Sequence, residues 1–441
     1  MVKELFRLTD MIRQKSQAMQ AELVRLRRDI HRHAEVGWTE FRTAALIAAR
    51  LKELGYEVKM GEAAVKKADM LGVPSPACLT AHMERAVKQG ADPALVKAME
   101  GGLTGLVAEL DSGKPGPLIA LRFDIDANDI NEASTAEHLP RREGFASVNP
   151  GAAHACGHDG HVAMGLGVAA LLKDMKSELK GKIRLIFEPG EEGSRGARAM
   201  VGAGAVDGVD HILGVHIGFQ ATKTGQLICS TGKFLATTKL DVTYTGKPAH
   251  AGAAPQEGKN ALLAAASASL NLHAIARHGQ GATRITVGTL VAGEGRNVIP
   301  AHAVFKMETR GETSEIDEFM AGEARRIIEG SALTYGVDYH IEMVGGTKSG
   351  ESSPATRDVL KKVAIEMGAF NDIRDYIGFG ATEDFSHLMT VVQENGGLGT
   401  YFMLGANLSA GHHNDKFDFD ESVLSTGVEL IVKTVVTLQA E

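Results

Sequence analysis

The chain has 441 residues, 44% of them hydrophobic and 23% charged, with a formal net charge of -8. That balance fits a globular protein with a large core and length for two or three domains, and it argues against a fibrous or disordered chain. The acidic balance, without a basic run, argues against nucleic acid as a partner.

Three cysteines, Cys78, Cys156 and Cys229, are odd in number and far apart, so no disulfide framework is expected and a reducing compartment fits. The start, Met1-Val2-Lys3-Glu4-Leu5, lacks a signal-peptide core. No apolar run reaches the ~18–20 residues of a membrane span. A cytoplasmic location and no membrane partner are expected.

Apolar spacing predicts helix over about residues 5–54, with Gly55 as a stop, and a short strand near 56–60. Residues 61 to about 102 look helical and carry no obvious chemistry. Residues 105–110 and 118–123 read as a pair of strands joined by the turn Asp111-Ser112-Gly113-Lys114-Pro115-Gly116. A helix at about 161–179 and strands near Leu185 and Leu213 continue an α/β alternation, which implies a largely parallel sheet. From about 232 to 345 the order becomes β-α-β-β-α-β, a ferredoxin-like unit inserted into the larger domain formed by 1–231 and 346–441. A helix after Ser352, a strand at Met403 and a closing helix at about 421–440 complete the larger domain.

Several apolar strands run into residues that bind metals or move protons. Cys156-Gly157-His158 offers a thiolate and an imidazole that suit a zinc-like ion, with His154 and His161 close by. The bland reading, a buried cysteine beside a capping turn, leaves that density of histidines unexplained. Glu191-Glu192 follows a strand in a glycine-rich turn, so one carboxylate can bind a metal while the other handles protons. His216 ends an apolar strand, where a lone histidine is more often a satisfied core residue, as His211 is expected to be. His412-His413 lies in a loop whose bland reading is plain surface. Asp124 and Asp126 end a central strand and need charged partners there; Asp126 is favoured as the group that orients a ligand histidine.

These residues resemble the aminoacylase/carboxypeptidase family of two-metal peptidases (peptidase family M20), in its amidohydrolase branch. The resemblance rests on Leu121-Arg122-Phe123-Asp124-Ile125-Asp126-Ala127, Cys156-Gly157-His158-Asp159-Gly160-His161, Glu191-Glu192-Gly193 and Gly214-Val215-His216. Gly246-Lys247-Pro248-Ala249-His250-Ala251, Asn297-Val298-Ile299-Pro300 and Glu383-Asp384-Phe385-Ser386 extend it over nearly the whole chain, in order. The resemblance implies two divalent metal ions, zinc or manganese, held by Cys156, His158, Glu192, His216 and His413, with Cys156 bridging and Glu191 as general base. It implies that the inserted unit is a lid and dimerisation domain. There His250 would reach into the partner subunit's site, and Asn297 and Arg310 would grip a substrate carboxylate. It also implies a homodimer, or a heterodimer with a paralogous subunit.

The expected reaction is hydrolysis of the amide of an N-acyl amino acid, p-aminobenzoyl-glutamate or a related aroyl-glutamate. The alternatives are an aminoacylase or dipeptidase with another acyl group, or a non-catalytic binding protein on the same scaffold. Two departures stand out. Asp126-Ala127-Asn128-Asp129 replaces the family's usual Asp-Ala-Leu-Pro, and the insert at 61–102 has no counterpart in most of the family.

Overall fold

The computed structural model describes residues 2–440. They form two compact units: Met1–Gly232 with Glu351–Phe379 and His387–Glu441, and Lys233–Gly350 with Gly380–Ser386.

The larger unit is built on an eight-stranded sheet. Its strands are β1 (Glu57–Met60), β2 (Leu106–Asp111), β3 (Leu118–Asp124), β4 (Lys182–Glu188), β5 (His211–Ile217), β6 (Gln226–Ile228), β7 (Asp372–Arg374) and β8 (Leu398–Leu404). Across the sheet they run β1-β2-β4-β3-β5-β8-β6-β7. The central four, β4, β3, β5 and β8, are parallel. Their last six residues are all buried, which is why each reads as a nearly unbroken apolar run. Helix His158–Asp174 lies directly on this sheet: a Cβ on Gly165 would stand 2.8 Å from both Phe123 and Phe187. Because the four strands run the same way, their carboxyl ends share one edge.

The expected pairing of β2 with β3 is not formed. β4 lies between them, antiparallel to β2 and parallel to β3. The connection after Asp111 instead wraps the entry to β4: Ser112 N–H donates to the Gly181 carbonyl at 3.1 Å and Gly181 N–H to that of Lys114 at 2.9 Å. Gly181 has φ +60°, and a Cβ there would collide with the Pro117 carbonyl, so the crossing depends on glycine. The expected N-terminal helix resolves into three, Val2–Ala18, Gln20–Arg32 and Phe41–Glu53. In the insert only Pro76–Lys88 and Pro93–Ala98 are α-helical, each opened by proline and capped by Ser75 or Asp92. Residues before Ser75 form two 3₁₀ turns and extended chain.

The smaller unit is a four-stranded antiparallel sheet with two helices, Ala261–His273 and Ser314–Tyr335. Strand Ala236–Thr245 pairs with His302–Gly311 and Asp338–Thr347, and Thr283–Ala292 forms the edge beside His302–Gly311. This is the ferredoxin-like order. Leu240, Val242, Tyr244, Ala264, Phe305, Met320 and Ile328 fill its core.

Candidate metal centre

The carboxyl edge of the central strands gathers the donors. β3 delivers Asp124 and Asp126, β4 leads to Glu191 and Glu192, and β5 ends on His216 and Ile217. Cys156 precedes helix His158–Asp174, whose N-cap Gly157 takes the left-handed turn (φ 93°) that this bend requires. His413, also left-handed (φ 61°), comes from the loop after β8 and is held by its N–H to the Ala155 carbonyl at 2.8 Å.

Three overlapping groups result: Cys156 with His158 and His216, Cys156 with Glu192 and His413, and His158 with Glu191 and Glu192. Within each, the donor atoms lie within 4.8 Å of one another. Cys156 Sγ is 3.5 Å from His216 Nε2, and His413 Nε2 is 3.3 Å from Glu192 Oε1. His158 Nε2 is 3.9 Å from Glu191 Oε2. The shared donor Cys156 gives the cluster two lobes.

The residues fit a pair of divalent cations. His158 Nδ1 donates to the Asp126 carbonyl at 2.8 Å and His216 Nδ1 to the Ile217 carbonyl at 2.8 Å, which turns both Nε2 atoms into the cluster. His158 Nε2 is buried and has no hydrogen-bond partner among the described residues. Burial pushes the Cys156 thiol well above its ordinary range and holds His216 well below its own. Burial also opposes ionisation of Glu192, but the neighbouring His413 and His158 outweigh it and hold the carboxyl down. A thiol, neutral imidazoles and a carboxylate around an unpaired nitrogen are the donor set of a zinc-like ion.

Asp126 does more than the sequence suggests. It meets His158 chiefly through its main-chain carbonyl, while its carboxylate accepts the N–H groups of Glu191 at 3.1 Å and Glu192 at 3.0 Å. The turn carrying both glutamates is thus fixed from β3. Gly190 N–H adds a bond to buried Glu40 at 2.8 Å. Asn128, one of the positions departing from the family pattern, donates to Glu192 Oε1 at 2.6 Å and accepts from Ala155 N–H at 3.0 Å. Sequence reasoning missed this role; an amide two residues beyond the Asp-x-Asp was the only signal.

Other nearby histidines have different places. His161 donates from Nδ1 to Asp124 and accepts Ile217 N–H on Nε2, so both nitrogens are used. Asp124 also takes Arg122 at 2.5 Å, giving the buried carboxylate its charged partner. His412 is stacked on Phe219 with ring centroids 4.3 Å apart and donates to the Ile217 carbonyl at 3.0 Å. His154 is buried, and neither ring nitrogen has a hydrogen-bond partner among the described residues.

Within the smaller unit, His250 and Asn297 lie on adjoining chain segments: His250 bridges Val298, and Ala251 N–H donates to the Asn297 carbonyl at 3.0 Å. Both side chains are exposed. His250 Nδ1 accepts the N–H groups of Gly252 and Ala253, each at 3.1 Å, leaving Nε2 pointing away from its own turn. Arg310 is held by Glu308 at 2.9 Å.

The family model for peptidase family M20/M25/M40 matches residues 120–437. The chain belongs to this family. Among curated M20 relatives, it is 47% identical to indole-3-acetyl-aspartic acid hydrolase of Enterobacter agglomerans, over 94% of this chain and 95% of that one. It is also 47% identical to one of the named subunits of the p-aminobenzoyl-glutamate hydrolase of Escherichia coli, over 92% and 94% respectively. Among solved structures of the fold, an aminobenzoyl-glutamate utilization protein from Klebsiella pneumoniae superposes with a TM-score of 0.83 at 39% identity, covering 96% of each chain. The M20 chain is therefore a hydrolase of the amidohydrolase and metallopeptidase type. Among the described residues, no helix is long and apolar enough to cross a membrane.

Proposed function

We propose that this M20 enzyme hydrolyses the amide of an N-acyl amino acid, with p-aminobenzoyl-glutamate or a related aroyl-glutamate as substrate. The observation that carries the reading is the convergence of Cys156, His158, Glu192, His216 and His413 beside Glu191 at one sheet edge. In this reading those five hold two divalent ions, zinc or manganese, with Cys156 common to both. The bound ions supply Lewis acidity and lower the pKa of a water toward ~7.

Glu191 is the general base. Its carboxylate takes the proton of the attacking water and returns it to the amide nitrogen as the C–N bond breaks, releasing a carboxylic acid and an amino acid. Asp126 fixes the main chain of that glutamate, and Asn128 fixes its neighbour. His250 from a partner subunit would donate to the carbonyl oxygen as it gains charge. Asn297 and Arg310 would bind the carboxylate of the amino-acid half; Arg310 has the planar fork for it but must exchange Glu308 for substrate. The proposed assembly is a homodimer or a pair with a paralogous subunit, in the cytoplasm.

A second reading, an arylacetyl-aspartate as substrate, is favoured by the equal identity to the indole-3-acetyl-aspartic acid hydrolase. A kcat/KM panel of p-aminobenzoyl-glutamate, indole-3-acetyl-aspartate, N-acetyl amino acids and dipeptides decides between them. The enzyme is assayed alone and with any paralogous subunit from the same source. Preference for an N-acetyl amino acid or a dipeptide overturns the aroyl assignment.

A further inference from the structure

The insert at residues 61–102 is bolted to the turn that carries Glu191 and Glu192. Two side chains make the connection. Trp38 is fully buried and donates its indole N–H to the Leu71 carbonyl at 2.8 Å. Arg195 bridges the two segments. Its Nε and Nη2 donate to the Glu192 carbonyl at 3.1 and 2.8 Å, and its Nη1 donates to the Gly72 carbonyl at 3.3 Å. One planar fork therefore joins the main chain of a proposed metal ligand to the main chain of the insert.

The surroundings are shaped for this fork. A Cβ on Gly37 would stand 2.5 Å from Arg195 Nη2, and one on Gly193 2.9 Å from Arg195 Nε. Gly190 lies under the Trp38 ring, where a Cβ would meet it at 3.5 Å. The other holds on the turn are internal or come from elsewhere. They are Asp126 and Glu40, together with the turn's own bonds from Ser194 N–H to the Glu191 carbonyl at 2.7 Å and from Arg195 N–H to that of Gly190 at 3.1 Å. None of these restrains the Glu192 carbonyl. That restraint comes from Arg195, whose reach toward Gly72 ties it to the insert.

We propose that the insert is a positioning element of the catalytic site, and that Arg195 is the positioning residue through which it holds the Glu191–Glu192 turn. The proposal rests on the assignment of those two glutamates as base and ligand. A guanidinium bound at three points resists rotation of the Glu192 peptide, and rotation of that peptide re-aims both carboxylates. Displacements of about 1 Å in a catalytic group cost up to ~10²-fold in rate.

The test uses Arg195→Met, Arg195→Lys and Gly37→Ala in the full-length enzyme. Gly37→Ala displaces the guanidinium without removing it. For each, kcat, KM and metal stoichiometry are measured, together with hydrogen exchange of the metal-free protein over residues 68–74 and 189–196. The expected result for Arg195→Met is a kcat lowered about 10- to 100-fold with KM within about threefold, and faster exchange in both segments together. Gly37→Ala should show the same joint loosening, and Arg195→Lys should recover part of the lost kcat. Should Arg195→Met fail to fold, Gly37→Ala and Arg195→Lys still provide the exchange and kinetic readouts. Unchanged kcat in Arg195→Met, or exchange that rises in one segment alone, overturns the proposal. Retained turnover in Glu191→Gln would instead overturn the assignment of the base, leaving the exchange result to stand by itself.

Discussion

His158 donates its Nδ1 proton to the main-chain carbonyl of Asp126, at 2.8 Å. The Asp126 carboxylate is thereby left for the N–H groups of Glu191 and Glu192, so one residue orients a histidine and a carboxylate pair through different atoms. Asp126→Ala should keep the His158 contact and lose the turn. Metal affinity should fall about 10- to 100-fold, as for other outer partners of metal ligands, measured by competition with a chromophoric chelator. Unchanged affinity would show that the turn holds itself.

Asn128 offers a finer probe of the same turn. Asn128→Leu removes the bond to Glu192 Oε1 and leaves the Ala155 N–H without its acceptor. Metal affinity should weaken by about tenfold, with a loss of about 1–2 kcal/mol in stability from the unpaired N–H. Calorimetric metal titration and thermal unfolding read the two effects separately.

The neighbouring histidines 412 and 413 should separate cleanly. The His413 side chain is 55% exposed and faces Glu192, so His413→Ala should lower metal content while leaving the melting temperature of the metal-free protein nearly unchanged. His412 is stacked on Phe219, and His412→Ala should cost about 2 kcal/mol in stability. The opposite pattern would exchange their roles.

Stability should fall at both ends of the pH scale through one buried pair. His31 donates to Glu132 at 2.9 Å and lies 2.8 Å from Asp159. Burial disfavours its charge, but Asp159 and Glu132 outweigh burial and raise its pKa to about 9. Burial likewise opposes ionisation of Glu132, yet His31 lowers its pKa to about 2. A raised histidine contributes fully below pH ~6.5 and loses its contribution as pH rises through 9. A lowered carboxylate contributes fully above pH ~4.5 and loses it as pH falls toward 2. Thermal unfolding of the metal-free protein from pH 4 to 10 should show both declines, and Glu132→Gln should flatten them.

The parts of this architecture legible in the sequence are those whose environment is uniform. β3, β4, β5 and β8 are buried on both faces, so their apolar runs announce them, and the polar residue after each run marks the edge where chemistry gathers. β6 and β7, with three residues each, are too short to carry a period. The β2–β3 pairing failed because nearness in sequence suggested nearness in the sheet, whereas β4 arrives from later in the chain and takes the place between them. The donor residue types were visible, but the partners of the Asp126 carboxylate were not. Its two N–H groups come from a turn about 65 residues onward, and nothing local to Asp126 specifies them.

The smaller unit interrupts the larger one between Gly232 and Glu351, and His413 lies beyond that interruption. On the ribosome, Cys156, His158, Glu192 and His216 therefore emerge before the whole ferredoxin-like unit is made, and the last donor follows only afterwards. A nascent chain halted near residue 350 has most of a cage and no means of shutting it. Capture of the second cation is thus reserved for a nearly finished polypeptide, which ties cofactor loading to completion of the fold.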